Sequence, residues 1–374
     1  MDEAGRLTIN MAAIAANYRR LCAMHPSSHV GAVVKADAYG LGAAEIAPML
    51  AVQGARQFFV AHLAEALTLK PLLPPDADIF VLNGLAPGGE VACAEAGNII
   101  PVLNTPEQAR DWYALSVDRS RCLPAALQVD TGMSRLGLDE EEFDDVLGWP
   151  GFASQVSIRL LMSHMACADS PGAPANKDQI SRFERFCARL PSVPRSLANS
   201  AAAMFLPEAA GDVLRPGLVL YGVDPGEGGA DGMQAALSLE ARIIQIRDIP
   251  AGAGVGYGFD YIADRPLRTA TISAGYADGW PRSLSSRGAV WFAGQRLPVL
   301  GRVSMDSCVV DVTALPKGSI RPGDRVELIG RNQSVSDLAT LVGTTPHEIL
   351  TGLGHRFSRV YANRPPDGGE EMQS

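Results

Sequence analysis

The sequence predicts an α/β protein, with an N-terminal (β/α)8 TIM-like barrel followed by a C-terminal mainly-β domain. Three observations carry this. Over roughly the first 220 residues, short apolar runs alternate with helical patterns about eight times, the repeat of a parallel sheet closed into a barrel. The segment GVDPGEGGADG (222–232) is rich in Gly, Asp and Pro and reads as a linker. Beyond it, β-rich stretches follow one another with turn signals between them. The domains are placed at 1–232 and 233–374, and the first few residues could pair with the β-domain.

The barrel strands are read in order as HVGAVVKA (29–36), QFFVAH (57–62), DIFVL (78–82), NIIPVL (98–103), ALQVD (126–130), SIRLLMSH (157–164), PRSLAN (194–199) and VLRPGLVLYG (213–222). Between them lie helical segments such as MAAIAANYRRLCAM (11–24), EIAPMLAVQ (45–53), TPEQARDWYAL (105–115) and ANKDQISRFERFCARL (175–190). In the last, Ile180, Phe183, Phe186, Cys187 and Leu190 recur at helical spacing. Asn104-Thr105-Pro106 supplies a capping residue and an early proline, a helix start. A doubly wound open sheet would carry G-x-G-x-x-G after its first strand. The glycines from Gly252 to Gly258 come too late and lack that spacing. In the β-domain the stretches are LEARIIQIRDI (239–249), RTATISAG (268–275), GAVWFAGQRLPVLG (288–301) and DRVELIG (324–330), and the tail RPPDGGEEMQS (364–374) is expected to be disordered.

Composition narrows the function classes. With 47% hydrophobic and 20% charged residues the chain reads as a globular enzyme, and its net charge of −9 with no basic run argues against nucleic acid or an anionic membrane surface. The N-terminus starts with acids and lacks a long apolar core, so no secretory signal is expected. Six scattered cysteines without a Cys-x-x-Cys pair suit reduced thiols in a cytoplasm, and no metal-ligand spacing is visible among the six histidines. The four lysines are Lys35, Lys70, Lys177 and Lys317, so chemistry that needs an amine has few candidates.

Lys35 ends the apolar run Ala32-Val33-Val34, where barrel enzymes place catalytic residues. An amine held there is desolvated and becomes a better nucleophile toward an aldehyde. His164 ends the sixth strand. Asn199 and Ser200 follow the seventh, where a strand–turn–helix start suits a phosphate. Arg215 lies in the last strand before Pro216 and Gly217, and a charge in such a run must find a partner. Each has a plain structural reading when taken singly: a snorkelling lysine, a core histidine, an N-cap, an ion pair. Together they fall on one barrel face, and barrels often bind phosphate beside strands seven and eight.

The motifs AVVKADAYG (32–40), QVDTGMSRLG (128–137), SHMA (163–166), NSA (199–201), LRPGLVLYG (214–222), VGYG (255–258), GYADGWPR (275–282) and GRVSMD (301–306) resemble, in order and over nearly the whole chain, those of the alanine racemases. These are fold-type III pyridoxal-phosphate enzymes. The resemblance implies that Lys35 binds pyridoxal 5'-phosphate covalently. It makes Tyr39, Ser200, Gly217 and Leu218 the phosphate cradle with Asn199 beside it. It sets His164 under the pyridine ring and Arg215 at its nitrogen. It gives the substrate carboxylate to Arg135 and the backbone of Met305. Tyr257 becomes the second catalytic base and Tyr276 narrows the inner entrance. Asp169, Arg282 and Arg302 line an outer corridor. Tyr257 and Met305 are implied to come from the other subunit of a homodimer.

Racemisation removes a proton from one face of Cα and returns one to the other, so Lys35 and Tyr257 on opposite sides would suffice. A phenol needs positive neighbours for this near neutrality, and the His164–Arg215 pair is the implied source. An arginine that stays charged would keep the pyridine nitrogen unprotonated, favouring quick reprotonation over transamination or decarboxylation. The chain departs from the family at Gln128, where many members carry a carbamylated lysine that holds the substrate-binding arginine. Its carbonyl could still accept a hydrogen bond from Arg135. His355 stands where some relatives have a tyrosine, and no role is assigned to it. Two alternatives stay open: a racemase of broader range, such as for serine or basic amino acids, and a non-catalytic carrier of the cofactor.

Overall fold

The computed structural model describes residues 4–227 and 229–363. The chain forms two compact units, Ile14–Gln234 and Met1–Ala13 with Ala235–Ser374.

In the first unit, seven parallel strands pair in sequence order: Ala32–Val33, Gln57–Val60, Asp78–Val81, Ile99–Leu103, Leu123–Gln128, Val156–Met162 and Arg195–Ser196. Registers such as Ala32↔Phe58, Phe58↔Ile79 and Leu127↔Leu161 are parallel throughout. Val213–Leu214 pairs with His29–Val30. The 29–34 segment serves both pairings: Gly31 N–H reaches Leu214 O at 2.9 Å and Val34 N–H reaches Phe59 O at 2.9 Å. On the other side Arg215 N–H donates to Ala198 O at 3.0 Å, which closes the eighth strand against the seventh. All of Ile99–Leu103 is buried, as expected of a parallel strand covered on both faces. The helix Met11–Met24 and the helix Pro106–Asp118, capped by Thr105 Oγ1 accepting from Gln108 N–H at 3.2 Å, form where the pattern placed them.

The second and seventh strands are shorter than expected, at Gln57–Val60 and Arg195–Ser196, and so are the eighth and first, whose differences matter at the barrel mouth. The eighth ends at Leu214, because Pro216 has no N–H to continue a ladder, and Leu218–Tyr221 is a 3-10 turn. The first ends before Lys35, where the backbone turns left-handed.

In the second unit, an eight-stranded sheet runs in the order Leu267–Ile272, Cys308–Asp311, Gln295–Leu300, Ala289–Phe292, Arg325–Ile329, Leu237–Ile249, Gly5–Asn10 and Phe357–Ala362. Leu267–Ile272 also pairs with the far half of Leu237–Ile249, so six of the strands form a closed ring. Two helices that the sequence reading did not name, Val335–Val342 and Pro346–Gly352, belong to this unit. The tail 364–374 lies outside the described residues. Among the described residues no helix is long and apolar enough to cross a membrane.

Candidate active site

Lys35 follows the buried Val33 and Val34. Then Ala36, Asp37, Ala38 and Tyr39 all take φ between 51° and 60°. Such a left-handed turn costs L-residues about 1–2 kcal/mol each and needs outside support. Ala36 N–H donates to Glu65 Oε1 at 2.6 Å, and Ala43 N–H donates to Asp37 Oδ1 at 2.7 Å. Burial lowers the basicity of the Lys35 amine, the charges of Arg135 and Arg215 lower it further, and Glu65 opposes them. More of the amine is therefore neutral and nucleophilic at a given pH.

Arg215 is 3% exposed. Its guanidinium donates to Ser196 Oγ at 2.5 Å and Ser163 O at 2.5 Å, and meets His164 Nδ1 at 3.3 Å. Burial pushes Arg215 down to about 9, which leaves it charged at neutral pH. The arginine thus satisfies itself on hydroxyl, carbonyl and imidazole groups, without a carboxylate in these contacts.

Beside it, Ser200 opens the helix Ser200–Phe205, which Asn199 caps by accepting from Ala202 N–H at 3.0 Å. Ser200 Oγ accepts from Gly217 N–H at 2.9 Å and Val219 N–H at 3.4 Å. The Tyr39 hydroxyl lies so near Gly217 that a Cβ there would stand 2.2 Å from it. Tyr39 is buried, and burial raises its phenol well above the ordinary value, so it is a neutral donor. The hydroxyls of Tyr39 and Ser200 and the backbone at Gly217 therefore lie together beside the start of a short helix. This set of donors fits a phosphate, and the adjacent amine fits an aldehyde. Gly217→Ala should displace the Tyr39 hydroxyl and weaken phosphate retention by at least about tenfold, since overpacking a tight site costs roughly 1–3 kcal/mol. Cofactor content after dialysis, read by absorbance, checks this.

Arg135 sits on a loop that Asp130 organises, its Oδ1 accepting from the N–H groups of Gly132 (2.8 Å), Met133 (3.0 Å) and Ser134 (3.1 Å). No hydrogen bond joins the Gln128 side chain to Arg135 among the described residues. The Gln128 carbonyl on the backbone instead accepts from Leu138 N–H at 2.8 Å. Because the Arg135 charge lowers the basicity of Lys35, Arg135→Leu should move the Lys35 titration to higher pH. Acylation of Lys35 in the cofactor-free chain, followed by mass spectrometry against pH, should show its half-maximal point rise. Asp169 is exposed, and its backbone carbonyl accepts from Glu227 N–H at 2.9 Å.

The remaining expected residues lie in the second unit. Tyr257 begins the 3-10 turn Tyr257–Phe259 between Gly256 and Gly258, and is 71% exposed; Met305 is 53% exposed. Tyr276 N–H donates to Ser304 O and Ala277 N–H to Met305 O, both at 3.0 Å. Gly275 is required there, since a Cβ would stand 2.3 Å from Met305 O. Arg302 pairs with Asp260, and Arg282 is exposed at the start of the 3-10 turn Arg282–Leu284. His355 is exposed.

Sequence reasoning missed the residues that hold this mouth in place. Glu65 is one. Buried Gln179 is another: its Nε2 donates to His164 O (3.0 Å) and Thr131 Oγ1 (3.2 Å), and its Oε1 accepts from Ala166 N–H (2.8 Å). Ser163 and Ser196 complete the set. A polar residue on the inner face of the 174–187 helix was the available signal for Gln179. Glu65 resembled any first-turn acid.

The fold and this mouth define a class: a barrel protein with a lysine of lowered basicity at a strand end, on the same chain segment as Tyr39, which belongs to a cluster of hydroxyl and backbone groups. The family model for the alanine racemase N-terminal domain matches residues 9–225, and that for the alanine racemase C-terminal domain matches 236–361. An alanine racemase of Brucella canis is 48% identical over 370 residues, covering 96% of this chain and 93% of that one. A catabolic alanine racemase of Rhizobium johnstonii is 51% identical over 358 residues, covering 96% and 94%. The crystal structure of alanine racemase from Bartonella henselae, with covalently bound pyridoxal phosphate, superposes with a TM-score of 0.92 at 43% identity, covering 96% of this chain and all of that one. The chain belongs to the alanine racemase family.

Proposed function

We propose that this chain interconverts L- and D-alanine, with pyridoxal 5'-phosphate held on Lys35 and the α-proton moved by Lys35 and Tyr257 on opposite faces of Cα. The observation that carries the reading is the Lys35 amine, its basicity lowered by burial and by Arg135 and Arg215, beside the Tyr39–Ser200–Gly217 cradle. When bound, pyridoxal phosphate supplies an aldehyde for the amino group and a ring that draws electron density from Cα. Tyr39, Asn199, Ser200, Gly217 and Leu218 would hold its phosphate, and His164 and Arg215 its ring. Arg135 and Met305 orient the substrate carboxylate. Lys35 would take or return the proton on one face, and Tyr257 would do so on the other. Tyr276, with Asp169, Arg282 and Arg302 further out, narrows access to small substrates.

The assembly is a homodimer in which Tyr257 and Met305 serve the site of the other subunit. The support is their exposure, shared with Phe259, on a unit that already has its own closed core. The enzyme works in the cytoplasm on a free amino acid, which six scattered cysteines without a Cys-x-x-Cys pair support, and the net charge of −9 supports neither nucleic acid nor membrane as partner.

Deuterium incorporation at Cα in heavy water tests the reaction. Both enantiomers of alanine should exchange and invert at comparable rates, well above serine or lysine. Exchange without inversion, or none with alanine, would contradict the proposal.

A further inference from the structure

The turn that carries Lys35 is energetically unfavourable, and one side chain spans from it to the neighbouring strand. Glu65 stands at the third position of the helix Leu63–Leu69. Its Oε1 accepts from Ala36 N–H at 2.6 Å, and its Oε2 accepts from Ala61 N–H at 2.7 Å and His62 N–H at 3.0 Å. An ordinary capping box accounts for the contact to His62 alone. The bonds to Ala36 and Ala61 join the residue after Lys35 to the end of the Gln57–Val60 strand. Ala36 is the first of five consecutive residues with positive φ, four of them not glycine, so its N–H is where the turn is anchored.

We propose that Glu65 is a positioning residue for the reaction: it clamps the left-handed turn against the adjacent strand end and so fixes where the Lys35 amine sits at the barrel mouth. A carboxylate suits this task because it alone offers two acceptor oxygens to three backbone donors, and charge shortens such bonds. Its charge has a second effect. The charged groups acting on Lys35 are Arg135 and Arg215, which lower its basicity, and Glu65, which raises it. Around them, His164 touches Arg215, His62 caps the Glu65 helix, and Asp37 lies within the turn. Glu65 thus opposes the two arginines and keeps Lys35 basic enough to accept a proton on its own face of Cα.

The inference rests on Lys35 being the proposed cofactor-bearing base, but its test does not depend on racemisation alone. In the cofactor-loaded enzyme, Glu65→Gln keeps the size and leaves one acceptor oxygen for three donors. Expected are a kcat at least about tenfold lower with KM within about twofold, and a shift of the cofactor's absorbance–pH midpoint to lower pH because the anion is gone. Glu65→Gln with Ala36→Gly should recover part of kcat, since glycine adopts the left-handed turn without a clamp, while the absorbance midpoint stays shifted. Unchanged kcat and an unchanged midpoint in folded Glu65→Gln would overturn the proposal. Should that variant not fold, hydrogen exchange in the wild-type enzyme decides: slow exchange at Ala36, Ala61 and His62 is expected, and solvent-rate exchange at Ala36 would overturn it. Failure of Lys35→Ala to abolish racemisation would instead overturn the functional reading, which separates the two.

Discussion

Lys35→Ala should abolish racemisation, by at least about 10⁴-fold, because in the proposed function one side chain both holds the cofactor and moves a proton. No other lysine can replace it: Lys70 lies in the 3-10 turn Lys70–Leu72, Lys177 is exposed on a barrel helix, and Lys317 is exposed in the other unit. The substitution should leave the cofactor-free chain folded, since the Lys35 side chain makes no hydrogen bond or ion pair among the described contacts. It should even relieve a cost. A base whose folded-state pKa lies below its unfolded value binds fewer protons when folded, so the wild-type chain gains stability as pH rises between those two values. Below the lower value the penalty for the buried cation is fully present. Thermal melts of cofactor-free wild type and Lys35→Ala should therefore converge as pH climbs toward the ordinary lysine range. Melts that diverge there would show that the amine is not desolvated.

Tyr257→Phe should cost about 10²–10⁴ in kcat, the usual worth of a positioned proton donor and acceptor. Stability should change by less than about 0.5 kcal/mol, because the phenol is 71% exposed and only its hydroxyl is lost. The loss should also be one-sided. With Lys35 alone, the enantiomer presenting its α-hydrogen to the amine exchanges deuterium but returns unchanged, and the other scarcely exchanges. Chiral chromatography coupled to mass spectrometry separates these outcomes. Equal exchange from both enantiomers would contradict the two-sided arrangement.

Much of this was legible in the sequence for a physical reason. Strands buried on both faces leave unbroken apolar runs, and IIPVL at 99–103 is wholly buried. Lys35 stood out because lysines are few and this one ends such a run. The mouth's framework was not legible. Nothing in ADAY announces four left-handed residues, a conformation held by Glu65 from 29 residues away. The stretch after Arg215 looked like a continuous strand, yet Pro216 ends the ladder and frees Gly217 to approach Tyr39. Gln179 reads as one polar residue in an amphipathic helix until its three hydrogen bonds to the barrel are seen. Short-range patterns reveal periodicity and caps, whereas these contacts depend on which loops the closed barrel brings together.

The most direct test of the central claim mixes two inactive variants. Lys35→Ala and Tyr257→Phe subunits are unfolded together, refolded in equal amounts with pyridoxal phosphate, and assayed. If the amine of one subunit works with the phenol of the other, half the dimers gain one intact site, and about a quarter of wild-type activity should return. If mixed dimers form and no activity returns, the amine and the phenol do not act across the subunit boundary, and the account is wrong.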